Sequence, residues 1–479
     1  MSKITNIPSE LRNFFGKYNR PDAFEALSRL VEDLRLDQKL IGGAKRQNCR
    51  LTNMQILQIL ILMPFFCIKG FSHYTGSIFS RMLGGKKDLF YSYVANDWID
   101  WRGVITSITR KLITAVTVRN DFRKSELPAV IIADDSDLPK TGRRMEGIGK
   151  IFSHVEQKCI LGFKHLALCW SDGRTQFIVD ASLHGEKGKT DGKEQGLTAK
   201  DRSVRYNRDR DENSPAAVRK AEYFRAKGEK LKEMVKDAIR MKIPFQYLLV
   251  DSWFVCAGLV DFVCRRHKKF HLLGMAKMGN TKYRTEDGRE MTAKALIARA
   301  EKKKLVKPCR RYRCRYATVD VFLQNHRVRL FFCRRSGTEG WKVLLTTDTD
   351  LDFLRAYRIY AMRWSIEVAF ADQKGLLGLA DCSARDFSAQ IAHVSLVILR
   401  YNLLAYVKRA QDYETMGQLF GDICCGVREA TVVDKIWEIV LEVIAVVVEA
   451  TGADEDKLMT QIIEDNKRLA ALQAFAGAA

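Results

Sequence analysis

The feature that most limits the fold of this chain is a pair of short apolar runs that each end in an acidic residue. Ala129–Ala133 is followed by Asp134, and Phe245–Val250 is followed by Asp251. Apolar runs of this length are typical of buried strands. The helix-like segment Val255–His267 follows the second acid, and this alternation of strand and helix predicts an α/β core.

Other segments have equally clear patterns. Further strands are predicted at Phe163–Trp170, Thr175–Ala181, Phe270–Ala276 and Trp341–Thr347, and helices at Phe24–Arg35, Asn53–Leu62, Pro215–Met241, Ile391–Lys408, Lys435–Ala450 and Asp456–Leu472. Residues 280–340 contain alternating segments rich in Arg and Lys, such as Tyr312–Phe322 and Val328–Cys333, which predict an antiparallel β insertion. Residues 184–214 are polar and glycine-rich and predict a mobile loop.

A third acid accompanies the two strand-end aspartates. Tyr360–Lys374 is predicted to be one helix that carries Tyr360, Arg363, Glu367 and Lys374 on a single face. Ligands bind at the carboxyl ends of strands in α/β sheets. Three carboxylates meeting there would repel one another unless divalent cations held them, and oxygen-only sites suit Mg²⁺ or Mn²⁺. Two such ions can hydrolyse a phosphodiester.

The charge of the chain indicates a polyanionic partner. Lys and Arg number 80 against 57 Asp and Glu, a formal net charge of +23 over 479 residues. Nucleic acid is the first candidate because phosphate contacts release counterions, and an acidic membrane surface is the alternative. A secretory signal or membrane span is not expected, and the 12 cysteines lack a CxxC pair, which favours reduced thiols in the cytoplasm.

The spacing Tyr-x2-Arg-x3-Glu-x6-Lys, complete at Tyr360 to Lys374, resembles the motif of bacterial cut-and-paste transposases of the insertion-sequence-four family, within the DDE superfamily. The resemblance implies that Asp134, Asp251 and Glu367 are the catalytic residues and ligands of two Mg²⁺ ions, with Mn²⁺ as the substitute. It also implies that Tyr360, Arg363 and Lys374 contact DNA phosphates. The match is looser around the first acid, where Asp-Asp-Ser replaces Asp-Asp-Thr, and around Asp251, where the Arg-Glu pair of some relatives is missing.

Several assignments have alternatives. Alternation along the strand favours Asp134 as the first ligand, and Asp135 is the competitor. Lys140 and Arg143 follow this acid and are expected to line the DNA path, together with Arg144 and Lys150. Trp253 and Trp341 either stack on an exposed base or pack in the core, with core packing favoured, and Trp364 is expected in the core.

The predicted architecture is an α/β fold: a ribonuclease-H-like catalytic core with an antiparallel β insertion, flanked by helical N- and C-terminal regions. The expected parts are a helical DNA-end-binding domain over 1–120, the core over 125–279 and 341–386, the insertion over 280–340, and a helical region for dimerisation over 387–479. Residues 1–120 are equally consistent with a plain helical bundle carrying the basic residues Lys39, Lys45, Arg46 and Arg50.

The expected function is DNA transposition. A homodimer is expected to bind double-stranded DNA, both the inverted-repeat ends and the target, in the bacterial cytoplasm at the nucleoid. The resemblance also implies a hairpin on the element end. Two alternatives stay open at this point: a metal-dependent nuclease on the same core without strand transfer, and a non-catalytic DNA-binding protein derived from a transposase.

Overall fold

The computed structural model describes residues 22–42, 49–68, 70–118, 125–188, 194–266, 270–338 and 340–428, with Thr431 and Val443. It divides into two compact units, one of residues 1–96 with 406–479 and a core unit of residues 97–405. The helices predicted at Lys435–Ala450 and Asp456–Leu472, and the basic residues Lys45 and Arg46, lie outside the described residues.

The first unit is helical in its described part. Its helices are α1 (Asp22–Glu32), α2 (Asn53–Leu62), α3 (Phe71–Thr75), α4 (Ile78–Leu83) and α5 (Lys87–Val94), with a 3-10 turn at Met63–Phe66 and a helical stretch over 416–428. The start predicted for α2 is confirmed, because Thr52 accepts from the Gln55 N–H at 3.2 Å and its own N–H donates to the Gln55 side chain at 2.8 Å. Phe66 and Phe79 stack at 4.1 Å in the core of this unit.

The core unit begins with one long helix and then builds its sheet. In chain order its elements are α6 (Trp101–Val118), β1 (Val130–Pro139), β2 (Gly149–Ser153), β3 (Lys158–Ser171), β4 (Gln176–His184), α7 (Ala199–Ser203), α8 (Pro215–Glu222), α9 (Lys227–Arg240), β5 (Tyr247–Val250), α10 (Ala257–Cys264) and β6 (His271–Ala276). The predicted strands and the helical character of 215–241 are confirmed, with a break between α8 and α9.

The second half of the core unit contains the insertion and the motif helices. Its elements are β7 (Lys282–Arg284), β8 (Glu290–Thr292), α11 (Ala293–Lys302), β9 (Lys307–Cys309), β10 (Cys314–Leu323), β11 (His326–Arg335), β12 (Lys342–Thr346), α12 (Phe353–Ala361), α13 (Trp364–Gly375) and α14 (Phe387–Ala410), of which residues 406–410 belong to the first unit. Helix α11 was not predicted, although Leu296, Ile297 and Ala300 form a buried face at helical spacing.

The twelve described strands form one mixed sheet in the order β2-β3-β1-β5-β6-β12-β11-β10-β7-β8, with β4 paired to β3 and β9 to β10. Strand β3 is antiparallel to both of its neighbours β4 and β1, whereas β1, β5 and β6 are parallel. The insertion strands continue this sheet, because β12 pairs with β6 on one side and β11 on the other. The insertion strands and the buried parallel strands therefore belong to one sheet.

The polar loop predicted over residues 184–214 is anchored in its described second half. Arg210, which is 2% exposed on its side chain, donates to both Glu146 oxygens at 2.7 and 2.6 Å and to Asp386 at 3.0 Å. It also donates to Asp97 at 3.2 Å. The prediction of a mobile loop is wrong for this part, since a buried guanidinium with three carboxylate partners fixes its backbone.

Helix α14 passes through the apolar interior. By length and composition it is the one described helix that could cross a membrane, but 89% of its apolar window is buried, as in the core helix of a compact protein. The Asn402 amide accepts from the Ile178 N–H and donates to the Ile178 carbonyl, both at 2.8 Å. This side chain thereby satisfies both backbone groups of Ile178 on β4.

Replacing Arg210 with Met is expected to lower the free energy of unfolding by about 3–5 kcal/mol, because the carboxylates around it lose their buried counter-charge. Arg225→Met, which breaks an exposed ion pair with Glu233, should change it by less than about 1 kcal/mol. Urea denaturation at pH 7 measures both. Equal effects of the two substitutions would contradict the anchoring role.

The same cluster predicts acid sensitivity. Burial alone would raise the pKa of Glu146, but hydrogen bonds from Arg210 and Lys220 hold the pKa at about 2, below the usual 4.5. This stabilisation is present above pH 4.5 and is lost as pH falls toward 2.

Candidate active site

Asp134 and Asp251 lie side by side because their strands are paired in parallel. The β1–β5 pairing ends with Ala133 opposite Val250, and each aspartate is the next residue. Neighbouring strands are about 4.8 Å apart, so the two carboxylates share one edge of the parallel ladder. Strand β1 and its antiparallel pairing with β3 continue to Pro139. The predicted strand end at Asp134 is therefore wrong, and Asp134 follows only the end of the parallel pairing with β5.

One face of β1 meets the motif helix α13. Asp134 accepts a hydrogen bond from Arg363 Nη1 at 2.8 Å. Two residues on, Ser136 Oγ accepts from Lys374 Nζ at 2.8 Å. Alternate residues of a strand point to the same side, and the two ends of α13 therefore contact the two side chains on this face.

The other face of β1 carries its own ion pairs. Asp135 pairs with Lys227 at 3.0 Å, and Asp137 pairs with Lys164 at 2.5 Å. The competitor Asp135 therefore points away from Arg363 and the motif helix. This placement favours Asp134 as the acid that acts together with Asp251.

The motif residues lie on two consecutive helices, and the prediction of a single helix over Tyr360–Lys374 is wrong. Helix α12 ends at Ala361 and α13 begins at Trp364. At the junction the Arg363 N–H donates to the Tyr360 carbonyl at 3.0 Å, a spacing of three residues that tightens the turn as in a 3-10 helix. Tyr360 is therefore on α12, whereas Glu367 and Lys374 are on α13.

Arg363 connects Glu367 to the aspartates. Its guanidinium donates to Asp134 through Nη1 and to Glu367 through Nη2. Tyr360 is close as well, since its hydroxyl donates to the Val250 carbonyl at 3.4 Å, one residue before Asp251. The structure thus brings four predicted residues, Tyr360, Arg363, Asp134 and Glu367, to the end of β5.

Burial and the nearby carboxylates both shift the pKa values of the site. Burial raises the pKa of Asp134 to about 7, and the nearby charge of Asp251 adds to the rise. The Asp135 N–H and the Arg363 guanidinium act in the opposite direction. Burial, together with the charges of Asp251 and Asp134, likewise raises the pKa of the Tyr360 phenol to about 12. Additional positive charge would therefore stabilise this pair of carboxylates.

The donor chemistry fits a hard divalent cation at the aspartate pair. Among the described residues no group of three or more His, Cys, Asp and Glu is placed to hold a metal ion, and the Arg363 guanidinium lies between Asp134 and Glu367. The adjacent carboxylates of Asp134 and Asp251 offer oxygen donors of the kind that Mg²⁺ and Mn²⁺ prefer. The predicted meeting of all three acids is therefore seen for two, with Glu367 linked through a guanidinium.

Two other predicted DNA contacts differ in accessibility. Lys140 is only 8% exposed, and its ammonium donates to the carbonyls of Ala380 at 2.8 Å and Cys382 at 2.9 Å. It therefore ties two segments together, and its ammonium is turned to the interior instead of to a DNA phosphate. Arg143 has an exposed side chain that pairs with Asp201 at 3.1 Å and is accessible to a phosphate.

Two tryptophans beside the acids are exposed, contrary to the core positions favoured from the sequence. Trp364 is 62% exposed and Trp253 is 48% exposed. Asp251 caps the turn that carries Trp253, accepting from its N–H at 2.9 Å. The apolar character of these residues gave no signal of exposure, because burial depends on the neighbouring elements. Trp341 is half-buried, with Arg334 4.8 Å from its ring centre.

Lys227 was not predicted as a site residue, yet its ammonium contacts Asp135 and lies 4.2 Å from the ring centre of Trp253. Its place at the start of α9 could not be seen in the sequence, because Lys227 falls inside the single helix predicted over Pro215–Met241. Lys164 was missed for a different reason, because a lysine within a predicted buried strand has no local signature of its partner.

Comparison with known proteins supports a DDE transposase. Residues 80–270 match the family model described as "DDE superfamily endonuclease", and residues 225–403 match the model described as "Transposase DDE domain". Asp134 lies in the first match, Glu367 in the second, and Asp251 in both. Neither description names the insertion-sequence-four family or its motif, which stay predictions.

Similarity to solved structures is distant. One of them, described as "Cryo-EM structure of piggyBac transposase synaptic complex with hairpin DNA", has a TM-score of 0.41 at 10% identity and covers 90% of this chain and 82% of its own. A similarity of this size carries no argument about activity. No curated protein matches the chain.

The raised pKa of Asp134 predicts that the ionised form of this carboxylate destabilises the folded chain. Because this pKa is about 7 in the folded chain, against a usual value of 3.8, the ionised carboxylate destabilises the fold increasingly as pH rises from 4 to 7. Asp134→Asn should therefore raise the free energy of unfolding by about 2–4 kcal/mol at pH 8 and by little at pH 4.

Urea denaturation at both pH values tests this, with the exposed Asp209 changed to Asn as the matched control. If Asp134→Asn raises the free energy of unfolding at pH 8 no more than the control does, the ionised Asp134 carboxylate does not destabilise the fold.

Proposed function

We propose that this chain is a DNA transposase that cuts DNA at the ends of a mobile element and joins the freed 3′ ends to target DNA. The observation that carries the proposal is the adjacency of Asp134 and Asp251 where the parallel pairing of β1 with β5 ends, with Glu367 linked to Asp134 through Arg363. The two family matches span all three acids.

The sheet order supports a ribonuclease-H-like core. Strand β3 is antiparallel to β4 and β1, and strands β1, β5 and β6 are parallel. In the transposase family that the motif resembles, the first two acids follow strands of such a core. Glu367 follows the β insertion on a helix, as the insertion-sequence-four family implies. Membership of that family, and a hairpin on the element end, are part of this proposal.

The residues of the site have distinct tasks in the reaction. A pair of Mg²⁺ ions, when bound by Asp134, Asp251 and Glu367, supplies the activation of water and the stabilisation of the leaving oxygen. In the absence of metal, Arg363 holds Asp134 and Glu367 next to each other. Its guanidinium can then bind the scissile phosphate through two hydrogen bonds. Lys374, on the same face through Ser136, adds a point charge for the neighbouring phosphate.

A second surface of the core unit supports DNA as the partner. Six arginines lie at one end of the insertion hairpins, and no ion pair among the described residues includes any of them: Arg310, Arg311, Arg313, Arg315, Arg334 and Arg335. The turn that carries three of them packs on α12, with the rings of Tyr312 and Tyr357 4.4 Å apart. We name these six residues the arginine cluster and propose that they contact the DNA backbone.

Assembly and location are also proposals. Binding two element ends requires two protomers, so a homodimer on DNA is proposed for the synaptic complex. Bacterial cytoplasm at the nucleoid is the proposed location, in keeping with the net charge of +23.

Substituting any one acid tests the catalytic assignment. Asp134→Ala, Asp251→Ala and Glu367→Ala should each lower the rate of end cleavage at least about 100-fold, because each removes charge stabilisation from the transition state. Asp209→Ala, an exposed change of the same type, should cleave like the parent. The measurement is cleavage of labelled end DNA in Mg²⁺ at equal bound fractions. A variant that binds normally and cuts as fast as the parent would refute the role of that acid.

The nuclease alternative is separated by strand transfer. Incubation of the parent chain with a pre-cleaved end and a plasmid target should give joined products. Nicked plasmid without joined products would favour a nuclease on the same core.

Removing charge from the arginine cluster should weaken DNA binding in a salt-dependent way. Changing Arg310, Arg311 and Arg313 together to Ala should lower the slope of log K against log salt by about 2–3, since each phosphate contact contributes about 0.9. The matched control changes the exposed run Lys302–Lys304 to Ala, with the same loss of net charge. Equal loss of slope in both triple variants would show a non-specific charge effect and contradict the proposal.

A further inference from the structure

We propose that Lys227 is a positioning residue that fixes the separation of Asp134 and Asp251, a role that rests on the proposed function. Its ammonium lies 3.0 Å from Asp135 Oδ2 and 4.2 Å from the ring centre of Trp253. Asp135 is the neighbour of Asp134, and Trp253 is two residues after Asp251. One side chain therefore contacts the segments that carry both aspartates.

The pairing of β1 with β5 does not by itself fix the distance between the Asp134 and Asp251 carboxylates. The β1–β5 ladder ends with Ala133 opposite Val250, one residue before the two aspartates. Beyond that point β1 continues with β3, while the chain after β5 turns away under the cap of Asp251 on the Trp253 N–H at 2.9 Å. Lys227 is a link between these diverging segments.

The location of Lys227 is unfavourable for its own helix. It is the first residue of α9, where the N-cap is Ala226 and no side chain caps the free N–H groups. A cation at this end opposes the helix dipole. Helix stability therefore gives no reason for a lysine here, whereas its contacts with Asp135 and Trp253 do.

The contact of Lys227 with Asp135 also keeps the side chains of Asp134 and Asp135 on opposite faces of β1. Lys227 holds Asp135 on one face of β1, and Arg363 holds Asp134 on the other face. Both members of the Lys227–Asp135 pair are largely shielded from solvent, with side chains 16% and 15% exposed. Without Lys227, Asp135 would lose its counter-charge and turn toward other cations, which would displace the neighbouring Asp134.

The sign of the effect on cation binding separates positioning from simple charge. If Lys227 acted only through its charge, its removal would tighten the binding of a divalent cation by Asp134 and Asp251. If it positions them, its removal weakens binding. Loss of a group that orients metal ligands costs about 10–100-fold in affinity.

The experiment is calorimetric titration of the full chain with Mn²⁺. Lys227→Met should weaken Mn²⁺ binding about 10-fold or more, and Lys227→Arg, which keeps the donor, should stay within a few-fold of the parent. Lys232→Met is the matched control, since that lysine is on the same helix and pairs only with Glu229 in the ion pairs of the described chain; it should bind like the parent. Trp253→Leu removes the other half of the contact at an exposed position and should weaken binding in the same direction.

A double substitution tests the coupling. In an Asp135→Asn background, Lys227→Met should have a much smaller effect, because its charged partner is already absent. Mn²⁺ binding by Lys227→Met that equals or exceeds the parent's would overturn the role of Lys227 and leave the proposed function standing. Failure of the parent itself to bind Mn²⁺ through Asp134 and Asp251 would overturn the proposed function, and this role with it.

Discussion

The candidate site depends on the parallel pairing of β1 with β5. Two strands far apart in the chain are in register, so that the acid following Val250 stands beside the acid following Ala133. Their apolar residues are buried throughout the paired segment, and this burial specifies the register, since a shift by one residue would turn the aspartates toward the opposite faces. Every other contact of the site is arranged around this pair.

Positive charge compensates the carboxylates at each step. Arg363 neutralises Asp134, Lys227 neutralises Asp135, and Lys164 neutralises Asp137. Asp251 has no cationic partner among the ion pairs of the described residues and accepts backbone N–H groups instead. The least compensated point of the site is therefore the edge between Asp134 and Asp251, and a divalent cation is expected to have its greatest affinity there.

Much of the core could be predicted from the sequence because its signals are local. Buried parallel strands appear as short apolar runs, and β1, β5 and β6 were located in this way. Other features depend on contacts distant in sequence. The burial of Lys140 results from carbonyls 240 residues away, and the exposure of Trp364 results from which face of α13 meets the sheet. The turn between α12 and α13 was missed because its residues stay in the helical region of backbone conformation, so the pattern of side chains gives no sign of it.

The central claim is that Asp134 and Asp251, where the β1–β5 pairing ends, hold a catalytic cation together with Glu367. The most direct measurement is the anomalous scattering of Mn²⁺ in crystals of the chain bound to element-end DNA. The account predicts a peak between Asp134 and Asp251, with Glu367 turned toward it and Arg363 moved to a phosphate. A Mn²⁺ peak at any other position, with Arg363 still bound to Asp134 and Glu367 while the scissile phosphate is in the site, would contradict the claim.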